Sequence, residues 1–141
     1  MLWIIWQCRH NFNNGSASKI SGDSTDFHIY QPKPFDSMWY SHKFKGSGVR
    51  DEVALFVQGG DIVWLSGQYS CEKWSNISIF CHGLKSALLP GNRIEADLKY
   101  RGDSEYVTLP EDNIFGNPKQ QTSKAMVWSR HETCNHHFKE W

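Results

Sequence analysis

Arg93-Ile94-Glu95-Ala96-Asp97 is the stretch whose reading decides the fold. It reads as a short strand that delivers Asp97 to its own C-terminal end, with Pro90-Gly91 breaking the chain before it and Arg101-Gly102 following. Open α/β sheets place their chemistry at the exposed C-terminal ends of strands. Two other acids belong to the same argument. Asp23, in Gly22-Asp23-Ser24-Thr25-Asp26, enters an alternating segment, and Glu132, in Arg130-His131-Glu132-Thr133, lies within a helical pattern near the C-terminus.

Working outward, Ser75 or Asn76 can cap a helix whose stripe is Ile77, Phe80, Cys81, Leu84, Ala87 and Leu88. Before it, Val53 to Val57 is a buried-strand run, Gln58-Gly59-Gly60-Asp61 a tight turn, and Ile62 to Leu65 the returning strand. Residues 20–30 alternate weakly, with Ile20, Phe27 and Ile29 as apolar marks. Trp39 to Phe44 is a second extended candidate, closed by Gly46-Ser47-Gly48. Downstream, Tyr106 to Leu109 suggests a short strand, and the run from Pro110 to Pro118 a loop. From Gln121 the pattern is helical, with Val127, His131, Cys134, Phe138 and Trp141 on one face. Glu132 sits roughly 100° around from His131 on an ideal helix. Strand, hairpin, helix and strand in that order predict a mixed α/β sheet with a crossover helix.

Bulk properties set limits. A chain of 141 residues is at most one ordinary domain, and 39% hydrophobic content with seven tryptophans argues against disorder. The zero net charge counts against autonomous tight binding to nucleic acid, but not against a catalytic core whose DNA-binding parts lie elsewhere. Cys8, Cys71, Cys81 and Cys134 form no CxxC pair, which disfavours a zinc ribbon and suits reduced thiols in an intracellular protein. Met1 to Trp6 is apolar but too short for a signal-peptide core or a membrane span. Residues 1–19 read as a poorly specified extension, and residues 20–141 as the core.

Metal-assisted phosphodiester chemistry needs carboxylates from separate elements facing one point, because Mg²⁺ takes hard oxygen ligands. Taken singly, each acid is more naturally solvated surface. The seven histidines lack ligand-like spacing, and adjacent His136-His137 face two directions on a helix. Lys43, Lys45 and Arg50 near Gly46-Ser47-Gly48 suit phosphate contact or a merely solvated basic loop.

The blocks Asp23 to Ile29, Trp39 to Gly46, Gly60 to Trp64, Asn76 to Phe80, Ile94 to Asp97 and Arg130 to Asn135 together resemble the catalytic domain of DDE-superfamily transposases. The likeness is to the Harbinger-like group of DDE endonucleases, and it covers about residue 20 onward. It implies an RNase H-like mixed sheet with flanking helices, truncated at its C-terminus. It further implies Asp23, Asp97 and Glu132 as catalytic residues holding a divalent cation, Mg²⁺ or Mn²⁺. The implied reaction is cleavage of DNA at transposon ends and strand transfer into target DNA, in the nucleus, with a separate DNA-binding protein as a possible partner and no membrane. The chain departs from the family pattern at Ser24, at Asn76 and at Leu98-Lys99-Tyr100; Lys99 places a cation where it competes with metal or contacts phosphate. Two other readings stand beside this one. One is an inactive transposon-derived fragment or domesticated interaction module; the other is an RNase H-like nuclease unrelated to transposition.

The geometric expectation is specific. The Asp23 strand lies beside the Asp97 strand, the two acids share an edge, and the late helix packs its Val127, Cys134 and Phe138 face on the sheet with Glu132 turned toward them. Repulsion among the acids raises the pKa of at least one.

Overall fold

A computed structural model describes the backbone of residues 18–56, 61–88, 92–109 and 118–140, and the side chains of 20–56, 61–88, 92–109, 128–137, 139 and 140. It is mixed α/β. The strands are β1 (Ser18–His28), β2 (Tyr40–Ser41), β3 (Gly46–Phe56), β4 (Ile62–Ser70), β5 (Arg93–Glu95) and β6 (Val107–Thr108). The helices are α1 (Asn76–His82), α2 (Leu84–Ala87) and α3 (Pro118–Glu140). Across the sheet the order is β4, β3, β1, β5, β6, with β2 paired to the start of β3. β1, β3 and β4 form an antiparallel meander, while β5 and β6 run parallel to β1.

The hairpin read from residues 53–65 is present but longer at both ends, because both strands continue through polar residues that pair well. Glu52 pairs Ser66, Arg50 pairs Tyr69 and Val49 pairs Ser70. Its turn, 57–60, lies outside the described residues, as does the Pro90-Gly91 break. So does the expected N-terminal extension, apart from Ser18 and Lys19, which begin β1.

Three expectations are corrected. Gly46-Ser47-Gly48 does not close a strand; it begins β3, and the turn falls at 42–45 with Lys45 at φ 56°. Gly48 is required there by crowding: a Cβ would lie 2.8 Å from the Phe27 carbonyl oxygen and 2.5 Å from the Phe44 ring. The stripe from Ile77 to Leu88 is not one helix. Ser75 caps α1 as expected, but the chain breaks at Gly83, where an added Cβ would come within 3.1 Å of the Trp64 ring. The buried residues are Ile79, Phe80, Leu84 and Leu88, while Cys81 faces out. Finally, β5 stops at Glu95, so Asp97 lies two residues past the strand.

The core lies between the sheet and the α1–α2 layer. Ile20, Ala54, Val63, Trp64, Phe80, Leu84, Ile94 and Tyr100 pack there, and each is under a tenth exposed. Burying side chains of this size supplies about 1.5–3 kcal/mol apiece for the larger ones. Arg93 fastens β5 to β6 by donating to Thr108 Oγ1 at 3.0 Å and to the Val107 carbonyl at 2.9 Å. α3 covers the opposite face of β1. No helix among the described residues is long and apolar enough to cross a membrane.

Candidate functional site

Parallel pairing of β1 and β5 sets the site. Ser21 pairs with Glu95, so Asp23 and Asp97, each two residues further along, come level, Asp23 in the middle of β1 and Asp97 two residues past the end of β5. Their charges act on one another. Asp97 is held by a 3-10 turn, Leu98–Tyr100, which it caps by accepting from the Lys99 N–H at 2.9 Å. Tyr100 anchors that turn. Its ring is fully buried edge-on to Phe80, and its hydroxyl donates to Glu52 Oε2 at 3.2 Å.

Alternation along β1 sends Ser21, Asp23 and Thr25 toward α3, and Ile20, Gly22 and Ser24 toward α1. On the α3 side, Ser21 Oγ lies 2.6 Å from His131 Nε2, and Asn135 Nδ2 donates to Asp23 Oδ2 at 3.1 Å. Asp23 Oδ1 accepts from the Ser24 N–H at 2.8 Å. Burial raises the Asp23 pKa, and the Asp97 charge adds to the rise; the Ser24 N–H, Lys43 and Asn135 oppose it. A raised acid pKa is as expected, although burial rather than repulsion is the larger cause. His131 is buried and held neutral, its pKa pushed down to about 4 by desolvation.

The structure thus brings Asp23 and Asp97 together but does not bring Glu132 into contact with them. The residues α3 presents to β1 are His131 and Asn135, one turn apart, and Glu132 lies beside that face and exposed. Among the described residues no group of three or more His, Cys, Asp or Glu side chains is arranged to hold a metal ion. Of the predicted apolar face of α3, Cys134 is half-buried, while the side chains of Val127 and Phe138 and all of Trp141 lie outside the described residues.

Asn135 is the residue that sequence reasoning missed; its only signal is a spacing of four from His131. The basic residues divide. Lys43, Lys45 and Lys99 are exposed. Arg50, expected on phosphate, is instead committed to Asp26, donating from Nε at 2.7 Å and from Nη2 at 2.9 Å, with Nη1 on the Trp74 carbonyl at 2.9 Å. Ser41 Oγ donates to Asp26 at 2.7 Å. Cys71, Cys81 and Cys134 carry free thiols.

The donor set at Asp23 and Asp97 fits a hard divalent cation. It offers two carboxylates, from the middle of β1 and from just past β5, and nearby the Asn135 Oδ1, a buried oxygen that accepts no hydrogen bond. Comparison with family models, with curated proteins and with solved structures finds no match to this chain.

Proposed function

We propose that this chain is a divalent-metal-dependent phosphodiester-cleaving core of the DDE transposase type, acting on DNA, with Asp23 and Asp97 as the pair that holds Mg²⁺ or Mn²⁺. The observation that carries the reading is the juxtaposition of these two carboxylates, Asp23 in the middle of β1 and Asp97 just past the parallel strand β5. The strand order supports an RNase H-like sheet: an antiparallel meander of β1, β3 and β4 is followed by two strands added parallel to β1. Like charges gathered this way repel, a cost that a bound cation would remove.

The chain's own groups prepare the pair. Asn135 and the Ser24 N–H orient the two oxygens of Asp23, and the Lys99 N–H fixes Asp97. Burial raises the Asp23 pKa, so protons compete with a cation for its carboxylate. A bound cation supplies charge neutralisation at the phosphate and a lowered pKa for the attacking water. That water forms a bond to phosphorus, the bond to the 3′-oxygen breaks, and a 3′-hydroxyl and a 5′-phosphate result; the 3′-hydroxyl then attacks target DNA. Glu132, on the two turns of α3 that also carry His131 and Asn135, is the third acid of this reading.

A second reading, an inactive transposon-derived module, is favoured by the exposed position of Glu132 and by Lys99 just beyond Asp97. Incubating the protein with a nicked-plasmid substrate in Mn²⁺ separates them. Cleavage that disappears in chelator and in Asp97→Ala supports the enzyme. Metal binding without cleavage supports the module, and cleavage retained by Asp97→Ala rules out the pair.

A further inference from the structure

On the α1 side of β1, directly behind the acid pair, lies an open cleft of about 680 Å³. Lys43, Lys99, Ser24 and Asn76 line it. Two carboxylates on its wall already have partners: Asp26 is clamped by Arg50, and Glu72 Oε2 lies 2.8 Å from His42 Nε2. Lys43 and Lys99 enter no ion pair among the described residues. The cleft therefore presents two ammonium groups outside any ion pair, against one exposed carboxylate, Glu72, that is hydrogen-bonded to His42.

A second observation points the same way. Asn76 is 4% exposed. Its Oδ1 accepts from Ser24 Oγ at 2.7 Å, which fixes the amide, yet its Nδ2 donates to nothing. A buried N–H₂ is rarely left without an acceptor, from protein, water or a bound group. Two cations and an orphaned donor around one space describe a site for an oxyanion, and the volume exceeds what a bare phosphate needs.

We propose that this cleft is a phosphate-ester subsite, with Lys43 and Lys99 carrying the charge recognition and the Asn76 amide donating to a phosphate oxygen. It rests on the proposed reaction only in substrate class, a phosphate ester, since the cleft lies on the face of β1 away from the Asp23 side chain. Because recognition uses the chain's own cations, it does not require metal.

Fluorescence anisotropy of an end-labelled single-stranded oligothymidine, titrated in chelator over a range of salt concentrations, tests this. The full chain should bind. Lys43→Ala with Lys99→Ala should weaken binding by about tenfold and lower the slope of log affinity against log salt by about 1.4, the share of two phosphate contacts on a single strand. Both side chains are exposed, so folding is not at stake. Lys33→Ala with Lys139→Ala removes the same charge away from the cleft and should leave affinity within about twofold. Equal losses in the two double variants, no loss in either, or no binding by the wild type overturns the subsite. Unlabelled oligomer is the expected competitor; equal displacement by thymidine 5′-monophosphate at matched phosphate concentration would assign the cleft to free nucleotides. Metal is absent throughout, so failure of the acid pair to bind cation and failure of this cleft to bind phosphate are read separately.

Discussion

Arg50→Ala should be among the most damaging single changes outside the apolar core. Asp26 is 3% exposed and receives two hydrogen bonds from the Arg50 guanidinium and one from Ser41. Removing Arg50 leaves a buried carboxylate with the Ser41 hydroxyl, the Cys71 side chain and the Lys43 charge as its remaining neighbours. Breaking a buried pair in this way costs about 3–5 kcal/mol. The lower end applies here, because Arg50 is 18% exposed on the cleft side, and water there can partly replace it. About 3 kcal/mol corresponds to a fall in Tm of roughly 6–12 °C for a chain of this size. The pH dependence is also fixed. Burial alone would raise the Asp26 pKa, but the Arg50 and Ser41 hydrogen bonds outweigh it and the net shift is downward from 3.8. The wild-type contribution is therefore present above the unfolded pKa and lost only as pH falls below 3.8 through the folded value. In the variant burial acts unopposed by Arg50, so Asp26 takes up its proton at higher pH and part of the penalty is relieved. Urea denaturation at pH 7 and pH 4 should show a gap between wild type and variant that narrows at pH 4, with Arg50→Lys falling between them because the forked contact is lost while the charge remains. A gap under about 1 kcal/mol at pH 7, or one that is the same at both pH values, refutes the reasoning.

Two further titratable groups give separate predictions. Burial raises the Glu52 pKa to about 8, against opposing hydrogen bonds from Tyr100 and Trp64; an acid whose folded pKa exceeds its unfolded value of 4.5 loses stability as pH rises between the two. Glu52→Gln should flatten the pH 5–8 stability profile, measured by thermal melts, and parallel profiles would show that Glu52 is not protonated in the fold. His131, with its pKa depressed from 6.5 to about 4, costs stability as pH falls through that window. His131→Leu should lose about 1–3 kcal/mol at pH 8, from the stranded Ser21 hydroxyl, and should show a shallower acid decline; an unchanged acid slope would contradict the assignment.

The parts of the fold legible in the sequence are those where side-chain pattern decides. The apolar runs at Val53 to Leu55 and Ile62 to Leu65 identify the hairpin, and Ser75 marks the start of α1. Tertiary contact decides the rest. Gly46-Ser47-Gly48 has turn composition, yet it is a strand, because the Phe44 ring and the Phe27 carbonyl occupy the space a side chain would fill. The stripe from Ile77 to Leu88 has helical spacing, yet it breaks at Gly83 under the Trp64 ring. At the site, Asp23 was readable as an acid on an alternating strand and Asp97 as one delivered by a short strand, and the parallel register of β1 and β5 brings them level. Glu132 and Asn135 are separated by less than a turn of helix. Which of them meets Asp23 depends on the roll of α3 about its axis, set by the His131–Ser21 contact, and no local pattern encodes it. Arg50 looked like a phosphate contact because sequence does not show that Asp26 lies opposite it on β1.

The central claim is that Asp23 and Asp97 together hold a divalent cation. Calorimetric titration with Mn²⁺ tests it most directly. Wild type should bind, with an affinity that falls as pH is lowered, since protons compete with the cation for the Asp23 carboxylate, whose pKa burial raises. Asp97→Ala should bind on the order of tenfold more weakly or worse, through the loss of one of two carboxylates. Equal binding of Mn²⁺ by wild type and Asp97→Ala would contradict the account.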